Sequence, residues 1–368
     1  MPVCHQGWRS VWRRAGDVEQ SSRAARLKIL VLKPSSLGDV VQALPVARLI
    51  RAEHPKAEIH WWISSDLVTL LENDPDISLL YPFYRRRWAH PFYWMQMVHT
   101  WRRMRAQSYD LVLDLQGLAR SGVVAWQARG KRTVGVEDRR EGATLFYDHA
   151  VARPGPQAHA VDWYLAVIRS VGINTDRPFE WLPVQQSIVD SLKQRWHFSE
   201  GVQWVALNPG ARWANKRWPV QSFATLAGSL ARAHPQLRFM ILGGPSESEA
   251  GLAIQKAVGD DDRCLDLTAR TSLPELVEWL RLASVLVTND TGPMHIAAAL
   301  GLPVIGLFGP TNPNRTGPYG QIHRSLKLEL NCMPCMSSRC SNPVYQKCLQ
   351  DLSPLIVKAA VEKILTSS

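Results

Sequence analysis

The turn Asn289-Asp290-Thr291-Gly292-Pro293 combines residue types that could bind a phosphate group. It follows a β-branched run at residues 285–288, which predicts a buried strand, and precedes an Ala-rich segment at residues 294–300, which predicts a helix. A helix N-terminus offers unpaired N–H groups and a partial positive charge, and a glycine lets a ligand approach the backbone. Asp and Thr are also favoured helix caps, so an ordinary helix start is the alternative.

Three further loops occupy the same position, between a predicted strand and a predicted helix. They are Ser35-Ser36-Leu37-Gly38-Asp39, residues 208–216 with Asn208-Pro209-Gly210 at their start, and Gly243-Gly244-Pro245-Ser246-Glu247. In an open α/β sheet, ligands bind beyond the carboxyl ends of the strands. The spacing therefore predicts that loops of this kind surround a shared ligand.

Strands and helices alternate along the chain, which predicts an α/β fold with parallel sheets. The order of elements repeats, so we expect two Rossmann-like, doubly wound domains that face each other. The predicted strands are residues 27–33, 58–63, 111–115, 202–207, 238–242, 285–288 and 304–308. The predicted helices include residues 40–54, 91–107, 220–234, 273–282, 294–300 and 353–365.

A chain of 368 residues is long for one domain, which also favours two. The expected boundaries are a basic N-terminal extension at 1–26, a first domain at 27–180, a linker at 181–200, a second domain at 201–352 and a last helix at 353–368.

A formal net charge of +11 predicts an anionic partner, which could be nucleic acid, a membrane surface or a phosphorylated substrate. Apolar residues line one side of the predicted helix at 91–107, and Arg102, Arg103 and Arg105 flank them. This helix could face the core with a solvated basic side, or it could contact a membrane. No apolar run reaches the roughly 18 residues of a membrane span and no signal peptide is evident, so we expect a cytoplasmic protein.

The loops, taken in order, resemble those of the family 9 glycosyltransferases, the lipopolysaccharide heptosyltransferases. The shared motifs are S-S-L-G-D, D-L-Q-G-L from Asp114, N-P-G, N-D-T-G-P-M-H and F-G-P-T from Phe308, and the resemblance covers about nine-tenths of the chain. It implies a GT-B fold with its active site in a central cleft and a last helix that crosses back to the first domain. It also implies transfer of heptose from ADP-heptose to the Kdo or heptose of a lipid-linked acceptor, with inversion, without a catalytic metal or cofactor and without nucleic acid as a partner.

The resemblance assigns roles to individual residues. Asp39 looks like the catalytic aspartate, because an inverting transfer needs a base to take the proton of the acceptor hydroxyl, although Asp39 could instead cap a helix. Lys216 resembles the lysine that contacts phosphate, where fixed positive charge stabilises the departing diphosphate. The donor-binding candidates are Asp290, Thr291, Gly292, His295, Ser246 and Glu247. Since Asp290 would repel a diphosphate, it is expected to contact heptose hydroxyls or to order its loop.

On the acceptor side, Arg86, Arg87 and Arg140 look like the family's arginines, which would bind carboxylates and phosphates as bidentate partners. Ordinary surface solvation is the alternative for all three. Peripheral contact with the inner membrane surface is expected, because the acceptor is lipid-linked.

Four cysteines, Cys332, Cys335, Cys340 and Cys348, have the spacing C-x2-C-x4-C-x7-C. They could bind a structural zinc ion or remain reduced thiols, and a cytosolic setting argues against disulfides. Two rival functions stay open. One is another GT-B enzyme with a different donor, including a sugar-nucleotide epimerase, and the other is a basic nucleic-acid-binding protein with a zinc module.

Overall fold

The computed structural model describes residues 26–84, 92–138, 140–196 and 201–367. Contacts within the chain divide it into two compact units. The first runs to Ser35 and resumes from Ala43 to Glu180, and the second holds Ser36–Gln42 together with the chain from Trp181 onwards. The loop that contains Asp39 therefore groups with the second unit.

The first unit is built on one parallel sheet. Its strands are β1 (Lys28–Leu32), β2 (Glu58–Ser64), β3 (Leu79–Phe83), β4 (Leu111–Asp114), β5 (Thr133–Val136) and β6 (His149–Val151). The helices of this part of the chain are α1 (Leu37–Glu53), α2 (Val68–Leu71), α3 (Phe92–Arg105), α4 (Ala119–Ala128) and α5 (Ala160–Arg169). The strand order is β3-β2-β1-β4-β5-β6, and every pair is parallel.

The second unit repeats this plan. Its strands are β7 (Trp204–Asn208), β8 (Arg238–Ile241), β9 (Cys264–Asp266), β10 (Val285–Asn289), β11 (Val304–Leu307) and β12 (Ser325–Leu326). Its helices are α6 (Gln186–Arg195), α7 (Val220–Ala233), α8 (Ser248–Val258), α9 (Leu273–Leu282), α10 (Gly292–Ala299), α11 (Pro313–Thr316), α12 (Lys347–Gln350) and α13 (Pro354–Ser367). The order β12-β11-β10-β7-β8-β9 is again wholly parallel.

When the strands of each sheet are numbered in chain order from its own first strand, both sheets have the strand order of a dinucleotide-binding Rossmann fold, 3-2-1-4-5-6. The order reverses between β1 and β4 in the first unit and between β7 and β10 in the second. In the second unit Asn208 lies beside Thr288 in register, so the loops after β7 and β10 leave the sheet next to each other. A crevice at such a reversal is where α/β folds bind ligands.

The central strands form because they are continuous apolar runs, as parallel strands covered on both faces require. The residues of β10 are fully buried or nearly so, and Phe223 of α7 lies in the same apolar cluster. Val357 and Val361 of α13 are also fully buried in this cluster, so α13 closes the core of the second unit. The predicted crossing of this helix to the first domain stays a prediction.

Several element boundaries differ from those predicted. Helix α1 begins at Leu37, three residues before the predicted start, so Asp39 lies within its first turn. Helix α10 begins at Gly292, but the side chain of its N-cap residue, Thr291, accepts no capping hydrogen bond. Thr291 is thus the N-cap residue by position and Pro293 lies in the first turn, as the helix-start alternative expects, but no side-chain hydrogen bond caps the helix, and the Asp290 carboxylate bonds elsewhere, as described below.

Helix α3 confirms the prediction of a helix in residues 91–107 within its described part. Met104 is fully buried and Trp101 packs against the same cluster, whereas Met95 is 72% exposed. One end of the predicted apolar face therefore meets the core while the other does not. Within the described residues, no helix combines the length and apolar composition needed to cross a membrane.

Candidate functional site

A cavity of about 340 Å³ opens in the second unit, at the carboxyl ends of β7 and β8. Loops after four successive strands supply its walls, which is the arrangement expected of a ligand site in this fold. The lining residues are Asn208, Gly210, Ala211, Arg212, Arg217, Gly243, Gly244, Ser246, Glu247, Thr271, Ser272, Leu273, Leu276, Thr291 and Pro293. Two of these residues are arginines, which would favour an anionic ligand, and two are leucines, which supply an apolar wall.

Glu247 is a cavity-lining side chain that two hydrogen bonds hold in place. One carboxylate oxygen accepts a hydrogen bond from the Gly244 backbone N–H at 2.9 Å, and the other accepts from the Ser246 hydroxyl at 2.7 Å. A Cβ atom added at Gly210 or Gly243 would lie 3.0 or 2.8 Å from Glu247, so both glycines make room for it. The carboxylate is thereby fixed at the end of β8, with Arg217 at 3.8 Å.

Lys216 and Asp290 form a short ion pair next to the cavity-lining Thr291. The ammonium lies 2.6 Å from Oδ2 of Asp290, and the Thr311 hydroxyl donates to the same oxygen at 2.6 Å. The side chain of Asp290 is only 5% exposed and that of Lys216 is 17% exposed. Asp290 therefore orients Lys216 and ties together the loops after β7, β10 and β11.

Buried asparagines lock the two loops at the strand-order reversal. Asn289, fully buried, donates to the carbonyl of Pro209 at 2.7 Å and accepts from the backbone N–H of Trp218 at 2.9 Å. Asn208 donates to the Thr288 hydroxyl at 3.0 Å. Because buried polar groups need partners, these bonds fix the loop after β7 against the loop after β10.

Asp39 sits in the first turn of α1 and engages Ser36, three residues before it. Its Oδ2 atom accepts from the backbone N–H of Ser36 at 2.8 Å and from the Ser36 hydroxyl at 2.7 Å. A Ser with an acidic residue three positions later is a capping arrangement that satisfies the start of a helix. The structure thus gives Asp39 a structural role, which also holds its carboxylate in one orientation.

The start of α1 and the start of α10 approach each other through two glycines. A Cβ at Gly38 would lie 2.2 Å from Cδ2 of His295, and a Cβ at Gly292 would lie 2.6 Å from Cδ2 of Leu37. Each glycine therefore accepts a side chain from the opposite helix. This close packing brings the Asp39 turn beside the turn that contains Asp290.

The imidazole of His295 is the point at which these groups meet. Burial lowers its pKa, and the ammonium of Lys216 lowers it further, while the carboxylates of Asp290 and Asp39 oppose this effect. The predicted residues Asp39, Lys216 and Asp290 are therefore all within electrostatic reach of His295. We therefore expect the neutral ring at neutral pH, since burial moves the pKa of His295 down from its ordinary value.

The Gly38→Ala variant tests the contact between the two helix starts. The added methyl group must displace the His295 ring, and we expect a destabilisation of about 1–3 kcal/mol, as for other overpacked sites. The helix propensity of Ala offsets at most about 1 kcal/mol of this. Urea unfolding followed by tryptophan fluorescence measures the change.

Gly155→Ala is the matched control, because a Cβ atom at Gly155 meets no atom within 4 Å. It is expected to leave the unfolding midpoint unchanged or slightly raised. If Gly38→Ala unfolded at the wild-type urea concentration, the close contact between Gly38 and His295 would be refuted.

Of the three predicted acceptor-side arginines, Arg140 lies within the described residues. Arg86 and Arg87 fall outside the described residues. Arg140 is 77% exposed and its guanidinium donates to both carboxylate oxygens of Asp138, with Nε 2.9 Å from Oδ1. Partial burial would raise the pKa of Asp138, but these bonds hold it below the usual value. Arg140 is therefore pre-oriented by a carboxylate.

The D-L-Q-G-L motif places Asp114 at the end of β4, where it is fully buried. It accepts from the backbone N–H of Gln116 at 2.9 Å and from the Tyr147 hydroxyl at 2.7 Å. Burial raises the pKa of Asp114, which these hydrogen bonds counteract. The motif therefore orders the loop after β4.

The four clustered cysteines surround one cavity of about 20 Å³, together with Asn215 and Pro310. Burial and the neighbouring thiols raise the pKa of Cys348. Across the described parts of the chain, all cysteines are free of disulfides, and no three or more His, Cys, Asp or Glu side chains are arranged to hold a metal ion. The four thiols therefore lie close together, and the zinc site and the reduced thiols both stay predictions.

Sequence reasoning missed one wall of the cavity. Thr271, Ser272, Leu273 and Leu276 come from the loop after β9 and the start of α9. The sequence does carry a signal for this wall, because Ser272 and Glu275 form a capping box that marks a helix start after a strand. Arg212 lies in the predicted loop at residues 208–216 and Arg217 directly follows it, and the sequence alone assigns a role to neither.

The chain is similar to known glycosyltransferases. The family model for glycosyltransferase family 9 (heptosyltransferase) matches residues 97–346. Lipopolysaccharide heptosyltransferase 1 of Pseudomonas aeruginosa is 28% identical over 338 residues, which cover 88% of this chain and 90% of that protein.

Two solved structures share the fold. E. coli ADP-heptose lps heptosyltransferase II has a TM-score of 0.73 at 24% identity, covering 93% of this chain and 99% of its own. E. coli heptosyltransferase WaaC with ADP has a TM-score of 0.72 at 22% identity, covering 92% of this chain and 100% of its own. These likenesses and the two parallel sheets confirm the predicted α/β fold of the GT-B class. Since the family model matches well over half of its length, the chain belongs to glycosyltransferase family 9, the heptosyltransferases.

Proposed function

We propose that the protein transfers heptose from ADP-heptose to the Kdo or heptose of the lipopolysaccharide inner core, with inversion at the anomeric carbon. The observation that supports this most is the gathering of Asp39, Lys216 and Asp290 around His295, beside a cavity at the strand-order reversal. The names of the relatives support the substrates, since one acts on lipopolysaccharide and one uses ADP-heptose. WaaC was solved with ADP, which supports the same nucleotide.

Asp39 is the proposed base. As the acceptor oxygen bonds to the anomeric carbon, its proton passes to the Asp39 carboxylate and the bond from that carbon to the ADP oxygen breaks. Attack and departure on opposite faces give inversion. Because Ser36 fixes Oδ2 through two hydrogen bonds, the carboxylate needs little reorganisation at the moment of transfer.

Lys216 and the N-terminus of α10 are the proposed partners of the diphosphate. Negative charge grows on the leaving ADP, and an ammonium and helix N–H groups already in place would stabilise it without a catalytic metal. Asp290 holds Lys216 through the 2.6 Å ion pair. Its proposed roles are therefore to order the loop and to contact the heptose hydroxyls.

The cavity is the proposed nucleotide site. Leu273 and Leu276 would cover one face of the adenine, and Glu247 would accept hydrogen bonds from the ribose hydroxyls. Thr291 and Ser246 line the same space, Gly292 directly follows Thr291, and all three would contact the sugar or the diphosphate.

Arg86, Arg87 and Arg140 are the proposed acceptor contacts, where guanidinium groups would bind Kdo carboxylates or lipid A phosphates. We place the enzyme at the inner face of the cytoplasmic membrane, because its net charge of +11 favours an anionic lipid surface.

A thermal-shift screen tests the donor. ADP and ADP-heptose at about 100 times the dissociation constant are expected to stabilise the protein by about 2.7 kcal/mol, which raises the melting temperature by several degrees. UDP-sugars and GDP-sugars are expected to leave it unchanged. Incubation with ADP-heptose and a Kdo-lipid A acceptor then measures transfer by mass spectrometry.

Each alternative has its own signature in these measurements. Stabilisation by a UDP-sugar instead of ADP would favour another transferase or an epimerase. RNA binding that weakens steeply with salt, together with a melting temperature that ADP does not change, would favour the nucleic-acid-binding alternative.

A further inference from the structure

Two residues on one face of α1 hold the His295 ring. Gly38 and Gln42 are four residues apart in this helix, so they are stacked neighbours. Gly38 lies against the Cδ2–Nε2 edge, since an added Cβ would be 2.2 and 2.9 Å from these atoms. The side-chain amide nitrogen of Gln42 lies 3.0 Å from Nδ1 on the other edge. Asp39 follows Gly38 directly in the chain.

The contact with Gln42 determines which ring nitrogen carries hydrogen. With its nitrogen toward the ring, the Gln42 amide donates, so Nδ1 accepts and the neutral ring carries its hydrogen on Nε2, whereas the flipped amide would select hydrogen on Nδ1. The Gln42 side chain is buried, at 5% exposure, so water does not readily replace this bond. Protonating Nδ1 would set one N–H against another and break it.

We propose that Gln42 is a positioning residue for the transfer reaction, because its hydrogen bond keeps His295 neutral, with the hydrogen on Nε2, beside Asp39. The catalytic effect of Gln42 rests on the proposed function, whereas its hydrogen bond to His295 does not. An imidazolium at this position would stabilise the Asp39 carboxylate and so weaken it as a base. The hydrogen bond from Gln42 disfavours the imidazolium form of His295.

The charged groups around the His295 ring would, on balance, favour its protonation. Asp39 from α1 and Asp290 from the loop after β10 both favour the imidazolium, while Lys216 from the loop after β7 opposes it. Two carboxylates against one ammonium would tend to charge an exposed histidine. Burial and the donor group of Gln42 act in the opposite sense.

The tautomer can be measured without any substrate. Protein with 15N-labelled histidine is recorded by long-range 1H–15N correlation at pH 7.5, and His295→Gln identifies the signal. We expect a neutral ring with hydrogen on Nε2. A ring with hydrogen on Nδ1, or an imidazolium, would overturn the proposal even if transfer activity were found.

Substitutions of Gln42 test the consequence for catalysis. Gln42→Leu removes the donor at similar size and is expected to lower kcat about 10-fold, with KM for the donor nearly unchanged. Gln42→Glu supplies an acceptor and a negative charge, which favour hydrogen on Nδ1 and then the imidazolium. Its activity loss on the acid side is expected to begin about one to three pH units higher than in wild type.

A matched control uses the same substitution elsewhere in the second unit. Gln255 of α8 donates to the backbone carbonyl of Cys264, and Gln255→Glu is expected to retain the wild-type pH profile. If kcat of Gln42→Glu falls by the same factor at every pH, the substitution only disturbs packing and the proposal is refuted. A wild-type protein that transfers no sugar while showing the Nε2 tautomer would refute the proposed function instead.

Discussion

The Asp39→Ala variant is expected to bind ADP with wild-type affinity and to lose turnover by about 100- to 10,000-fold, the usual contribution of a general base. The acceptor hydroxyl is a weak nucleophile until its proton is taken, and Asp39 is the carboxylate that the start of α1 places beside His295. Isothermal titration with ADP and steady-state transfer kinetics measure the two effects separately.

Two further variants separate the base from the helix cap. Asp39→Asn can still accept hydrogen bonds from Ser36 but cannot take a proton, so it is expected to be as inactive as Asp39→Ala while retaining more stability. Ser36→Ala removes the hydroxyl partner, keeps the carboxylate and is expected to lose about 0.5–2 kcal/mol of stability with most of its turnover. An active Asp39→Asn variant would leave Asp39 with its capping role alone.

Much of the fold followed from local patterns in the sequence. Helix α9 occupies the predicted residues 273–282, because an amphipathic run follows a serine cap and ends at Ala283. Strand boundaries were close for the same reason, since continuous apolar runs mark parallel strands. The start of α1 was misplaced because the first turn, Leu37-Gly38-Asp39, contains a glycine and reads as a loop, whereas tertiary packing against α10 stabilises it.

The contacts that organise the site could not be read from sequence patterns. Lys216 and Asp290 are 74 positions apart, and their pairing depends on β7 and β10 being neighbours in the sheet. Gln42 and His295 are 253 positions apart. Periodicity and capping rules act over a few residues, so they identify each loop without showing which side chain of one loop meets which side chain of another.

The Lys216→Met variant is expected to lower turnover about 100- to 1,000-fold, because it removes a fixed charge from the departing diphosphate while retaining an apolar side chain of similar length. It should also destabilise the second unit by about 3 kcal/mol, since Asp290 is left as a buried carboxylate without its cation. Transfer kinetics and urea unfolding measure the two losses.

The double variant Lys216→Met with Asp290→Asn distinguishes the two origins of these losses. An amide at position 290 carries no charge and can still accept from the Thr311 hydroxyl, so stability is expected to return to within about 1 kcal/mol of wild type. Turnover is not expected to return, because the diphosphate still lacks its ammonium. Were turnover to recover together with stability, Lys216 would serve only to neutralise Asp290, and the leaving group would have to be stabilised by α10 and the arginines of the cavity.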